Sequence, residues 1–160
     1  MNLLKFHNKI KGYTQNRQPG IEADMEPKPI AELEEYKAAG KLENKVALIT
    51  GGDSGIGRAI AILYAKEGAN VAIGYYDEHQ DAEDTVNRLQ EMGVKAKAYA
   101  HDLKDEKQSQ KLIKDVINDF GSLNILVNNG GVQFPRDHFE DITPQQVKET
   151  FMTNIFGMMF

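Results

Sequence analysis

The sequence predicts an α/β protein, a parallel sheet wound by helices on both faces, and three observations carry that prediction. Short apolar runs recur as strands: "VALIT" (46–50), "VAIGYY" (71–76), "KAKAYA" (95–100) and "NILVNN" (124–129). Helical stretches lie between them, and each ends at a glycine, Gly68, Gly93 and Gly121. The junction of the first strand and first helix, "TGGDSGIG" (50–57), is studded with glycine. Strands alternating with helices build βαβ units, whose strands run parallel through right-handed crossovers.

Each element has its own justification. Residues 46–50 are apolar without alternation, the mark of a strand covered on both faces. Helix 56–67 follows at once and stops at Gly68. Strand 71–76 leads to helix 79–92, and the acids at 77–84 suit that helix's positive start. Strand 95–100 leads to a helix within 105–121. There Leu112, Ile113, Val116, Ile117 and Phe120 share one face. After strand 124–129, Thr143, Pro144 and Gln146 read as N-cap, first-turn proline and capping-box partner. The helix they open is expected to run to Phe160.

Residues 1–44 form a separate N-terminal extension, and the domain occupies 45–160. The extension holds Pro19, Pro27 and Pro29, three of the five prolines. Its first 18 positions carry Lys5, Lys9, Lys11 and Arg17 with no acid; Glu22, Asp24, Glu26, Glu32, Glu34 and Glu35 then dominate. Two readings stand: an extended arm with a short helix near Ile30–Ala39, or a disordered tail.

Composition narrows the function. Apolar residues make up 41% and charged residues 27% of the 160, ordinary for a globular protein. A net charge of −5 disfavours a nucleic-acid surface. With no cysteine, disulfides, thiolate metal sites and a cysteine nucleophile are excluded, which fits a cytoplasmic protein. No apolar run approaches the roughly 20 residues of a membrane span. The basic N-terminus lacks the apolar core of a secretory signal. His79, His101 and His138 lack ligand spacing and read as surface or loop residues.

The bare turn has a chemical reading. Parallel strands present their carboxyl ends together, and ligands bind where the strand order reverses. A helix start offers unpaired N–H groups and partial positive charge to a phosphate, provided no side chain intervenes. The spacing here, T-G-x-x-x-G-x-G from Thr50 to Gly57, differs from the G-x-G-x-x-G dinucleotide fingerprint. By analogy with that fingerprint, Gly51 permits the tight turn, Gly55 the approach of a pyrophosphate, and Gly57 close packing of helix on strand.

"TGGDSGIG" resembles the cofactor turn of the short-chain dehydrogenase/reductase family. "HDL" (101–103), "NNGG" (128–131) and "FMTNIFG" (151–157) resemble that family's later motifs, in order. The arm "QPGIEADMEPKP" is similar to the extension of a bacterial subgroup. The resemblance implies a Rossmann-type doubly wound sheet, truncated here after about four strands. It also implies NAD or NADP as cofactor and a small carbonyl or alcohol substrate, with a homotetramer for the full-length parent. Cofactor contacts carry over to Gly51, Asp53, Ser54, Gly55, Ile56 and Gly57 in the first turn. Tyr75 and Tyr76 follow at the ribose, Asp102 and Leu103 at the adenine, and Asn129, Gly130 and Gly131 along the adenosine. Asn154 carries over as catalytic, its backbone carbonyl holding a relay water.

Plainer roles stand beside these. Asp102 suits a cap or Asx-turn, Asn128 suits bracing of the sheet, and Asn154 suits a bond to neighbouring backbone. Cofactor choice is divided. No acid stands at Tyr75 and no base at Ser54, while Asp77 lies just beyond; the balance tips slightly to NADP.

The family's chemistry uses a serine and a tyrosine with a lysine four residues on. Tyr13, Tyr36, Tyr64, Tyr75, Tyr76 and Tyr99 are followed at that distance by Arg17, Gly40, Gly68, His79, Gln80 and Leu103. The sequence therefore reads as the N-terminal half of a dehydrogenase. The alternative is a non-catalytic dinucleotide-binding fragment.

Overall fold

The computed structural model describes Gln15, Arg17 and residues 20–33 and 35–160. The choice between arm and disordered tail for residues 1–14 lies outside the described residues.

Four strands form one parallel sheet: β1 (Val46–Thr50), β2 (Asn70–Tyr75), β3 (Ala96–Ala100) and β4 (Ile125–Val127). Their order is β3-β2-β1-β4, so the order reverses at β1. Helices α1 (Gly55–Lys66) and α2 (His79–Glu91) pack on one face and α3 (Glu106–Phe120) on the other. Alternate residues of β1 serve the two layers. Ile49 joins Ile62, Val71 and Leu89, whereas Val46 and Leu48 join Leu112 and Val116. Burial on both faces explains why this strand reads as an unbroken apolar run.

Strand β4 is shorter than expected. The Val46 N–H donates to the Asn124 side chain at 2.8 Å, and the Asn129 N–H turns back to the Val127 carbonyl at 3.1 Å. At the start of the strand the Asn124 N–H still donates to the Val46 carbonyl at 2.9 Å, whereas the turn at Asn129 takes the far end out of the ladder. The last helix, α4 (Pro144–Asn154), opens with the expected Thr143–Gln146 capping box. It does not run to Phe160. Asn154 spends its amide on the Val132 backbone, and a single 3₁₀ turn, Phe156–Met158, follows.

The arm is extended from Met25 to Lys45 apart from turns, after a 3₁₀ turn at Glu22–Asp24. The short helix expected near Ile30–Ala39 is absent among the described residues. Long-range partners outweigh a local helix there. Glu32 pairs with Lys66 at 2.9 Å and with Arg88 at 2.9 Å, and the Tyr36 hydroxyl donates to Glu67. Ala31 and Leu42 pack on the α1–α2 core.

Glu67, which caps the end of α1, also accepts the Ala39 and Lys41 N–H groups at 3.1 and 2.8 Å. The Tyr36 hydroxyl, then these donors, lower its pKa from an ordinary 4.5 to about 2. A depressed carboxyl stabilises the fold above its unfolded value and loses that contribution as pH falls through the folded one. Thermal unfolding against pH should show this loss between 4.5 and about 2. Glu67→Gln should remove that part of the slope; an unchanged slope contradicts the assignment.

Candidate functional site

The site lies where β1 and β4 diverge, at the carboxyl edge of the sheet. Gly51 turns out of β1 with φ +60°, a conformation that glycine adopts without strain. The Thr50 hydroxyl accepts the N–H groups of Asn129 and Gly130 at 3.1 and 2.9 Å. The Asn129 amide donates to the Thr50 and Gly51 carbonyls, both at 3.0 Å. Asn129 thus ties the two strand ends together. Asn128 is exposed, so the bracing expected of it falls to its neighbour. A Cβ on Gly57 would stand 1.9 Å from the Gly51 oxygen, so helix and turn touch directly there.

A cavity of about 680 Å³ opens at this edge, within the range of small-molecule and cofactor sites. Ten of the expected cofactor residues line it. They are Gly51, Asp53 and Ser54 after β1, Tyr75 and Tyr76 at the end of β2, Asp102 and Leu103 after β3, and Asn129, Gly130 and Gly131 after β4. Gly55, Ile56 and Gly57 are not on its wall. The Gly55 N–H donates to the Glu22 carboxylate at 2.6 Å, and Glu22 also pairs with Arg58 at 2.9 Å. The arm therefore supplies an anion to the start of α1. Among the described residues nothing lies within 4 Å of where a Gly55 side chain would begin, and Ile56 is 75% exposed. Asn154 stands one step behind the cavity. Its amide bonds both backbone groups of Val132, a lining residue, at 2.8 Å each. Asp102 accepts the Lys104 N–H at 2.9 Å, the Asx-turn role, while also facing the cavity.

The wall after β1 and β2 is rich in acids. Burial raises the Asp53 pKa. Burial first, then the adjacent Asp77 carboxyl, push Glu78 up to about 7; Arg17, 2.8 Å away, opposes that rise. The Tyr75 hydroxyl meets His79 Nδ1 at 2.8 Å, and burial raises its pKa.

Two features escaped the sequence reading. His101 is no surface residue: it is 7% exposed, lines the cavity, and has no hydrogen-bond partner at either ring nitrogen among the described residues. Burial lowers its pKa, keeping the ring neutral. A Cβ on Gly74 would stand 2.5 Å from the ring, so the glycine inside β2 was the available signal. The second feature is Arg17, a base on the cavity wall that pairs with Asp77 and Glu78 across some sixty residues of sequence. No local pattern announces such a contact.

Fold and site are those of a doubly wound α/β domain with its cavity at the switch point of a parallel sheet. The chain belongs to the short chain dehydrogenase family, whose family model matches residues 45–160. It is 47% identical over 158 residues to General stress protein 39 of Bacillus subtilis (strain 168), covering 99% of this chain and 55% of that one. Among solved structures it resembles a short chain dehydrogenase from Burkholderia cenocepacia J2315 in complex with NADP. The TM-score is 0.71 and the identity 36%, over 74% of this chain and 48% of that one. It also resembles an NAD⁺-bound xylitol dehydrogenase, with TM-score 0.71 and 28% identity over 74% and 45% of the two chains. The chain spans about half the length of the curated relatives it matches.

Proposed function

We propose that this cavity holds the adenosine end of NAD or NADP, and that the full-length protein transfers hydride between that cofactor and a small carbonyl or alcohol substrate. The observation that carries the reading is the cavity at the switch point, lined by ten residues matching the family's cofactor motifs. The groups present fit such a cofactor. The cavity has the volume for it, and Gly51 and Gly131 bring no side chain onto its wall. When bound, the nicotinamide supplies the hydride chemistry.

This chain's residues supply the cradle. Asp102 and Leu103 flank the adenine, Asn129 through Gly131 follow the adenosine, and Ser54, Tyr75 and Tyr76 read the ribose. Asn154 fixes the Val132 backbone beside the cavity and offers its own carbonyl to a relay water. The missing acid at Tyr75 favours NADP over NAD. The working state we propose for the full-length protein is a cytoplasmic homotetramer, which sedimentation checks.

Proton transfer to a developing alkoxide needs a matched acid, and no tyrosine here has a lysine four residues on. The full-length protein should reduce members of an aldehyde and ketone panel with NADPH or NADH, with a higher kcat/KM for NADPH. Residues 1–160 alone should give no turnover above background, acting at most as a dinucleotide-binding module. In this chain β4 is the sheet's edge strand and Leu126 is 47% exposed, which invites association between copies. Turnover by the 160-residue chain would refute this division of labour; no turnover by the full-length protein would refute the enzymatic reading.

A further inference from the structure

We propose that Arg17 is a specificity-determining residue for the cofactor, carried by the N-terminal arm into the adenosine end of the cavity to meet a 2′-phosphate. The proposal rests on the cofactor reading above and adds to it a residue from outside the 45–160 domain.

The arm folds back on itself around this residue and is fastened to the domain just after it. Gln15 accepts the Ile21 N–H at 2.7 Å and donates to the Ile21 carbonyl at 2.8 Å, so the ends of the 15–21 stretch meet. Glu22 then binds the Gly55 N–H and Arg58, and its own N–H donates to Asp81 at 3.2 Å. Arg17 stands between these anchors on the cavity wall, with Ser54, Tyr75 and Tyr76. It donates to the carboxylates of Asp77 and Glu78, both at 2.8 Å. Those two acids follow β2, where the charge on a 2′-substituent is read. Left bare, the Asp77 carboxylate and the ionised form of Glu78 would repel a 2′-phosphate. Arg17 offsets them and brings a planar fork of donors whose geometry matches phosphate. Lys104, 6.0 Å from the Tyr76 ring centre, adds a second cation on the same cavity. An acid-rich strand end thereby becomes able to accept an anion, but only while the arm is docked.

Calorimetric titration of the full-length protein with 2′,5′-ADP and 5′-AMP isolates this end of the cofactor. Arg17→Ala should weaken 2′,5′-ADP by about tenfold or more, since a charged hydrogen-bond donor is lost and the Asp77 carboxylate is unmasked. Binding of 5′-AMP should stay within about twofold, because the uncharged 2′-hydroxyl needs no cation. Arg17→Lys should recover only part of the loss, because it keeps the charge without the fork. If both probes weaken equally, or neither does, Arg17 does not read the 2′ position and the inference falls alone. If the unaltered protein binds neither probe, nor NADPH or NADH, the cofactor reading falls and this inference with it.

Discussion

Gly57→Ala should leave little folded protein. The added Cβ would stand 1.9 Å from the Gly51 carbonyl oxygen, 2.6 Å from the Asn129 side-chain nitrogen and 2.7 Å from the Gly51 carbonyl carbon. Two of the three obstructing atoms are backbone, so no rotamer change relieves the clash. Relief requires α1 to lift off the turn, and that breaks contacts between Ala61, Ile62 and the sheet. It also displaces Asn129, whose amide joins β1 to β4. Overpacking at a rigid backbone contact belongs among the largest point-mutation effects, about 4 kcal/mol or more. Circular dichroism and soluble yield check it. A cooperative melt within about 5 °C of the unaltered protein, hence a loss of only 1–2 kcal/mol, would show that helix and turn are not packed as described.

Glu22→Ala should release the arm. The substitution removes the acceptor for the Gly55 N–H and the partner of Arg58, at side-chain exposures of 10% and 23% for Glu22 and Arg58. Removing one member of a largely buried ion pair strands the other, here with an expected cost of about 3 kcal/mol. That corresponds to a fall in Tm of about 8 °C for a domain of this size. Limited proteolysis should cut before Pro29 much faster, because the Arg17 contacts depend on the same anchor, while Glu32 and Tyr36 still hold the later part of the arm. Glu22→Gln keeps an acceptor without the charge and should fall in between. Equal proteolysis of all three proteins would mean that Glu22 does not hold the arm.

Much of this fold was legible in the sequence because its signals are local. The unbroken apolar run at 46–50 gave the first strand, and Gly68, Gly93 and Gly121, all with positive φ, gave the helix ends. The capping box at Thr143 was read directly. Most of the candidate site was legible too, since its residues sit at the carboxyl ends of the strands, where a parallel sheet gathers them.

The rest depended on contacts between distant parts of the chain. Glu22 and Gly55, like Arg17 and Glu78, meet only once the arm folds back, and no periodicity encodes that. The apolar spacing of Ile155, Phe156 and Met159 resembles a continuing helix. α4 ends where the Ile155 backbone leaves helical angles, at φ −117° and ψ −65°, next to Asn154, whose side chain is tied to Val132, 22 residues away. With β4 only three residues long, face alternation could not decide which of Asn128 and Asn129 turns inward.

The proposed adenosine half of the nicotinamide cofactor site can be tested in place. The most direct measurement is a crystal structure of the full-length protein grown with saturating NADPH. The account requires the adenine beside Asp102 and Leu103, the ribose against Ser54 and Tyr76 with Arg17 at its 2′-phosphate, and Gly130 along the adenosine. Cofactor bound elsewhere on the chain, or this cavity empty at saturation, would contradict it.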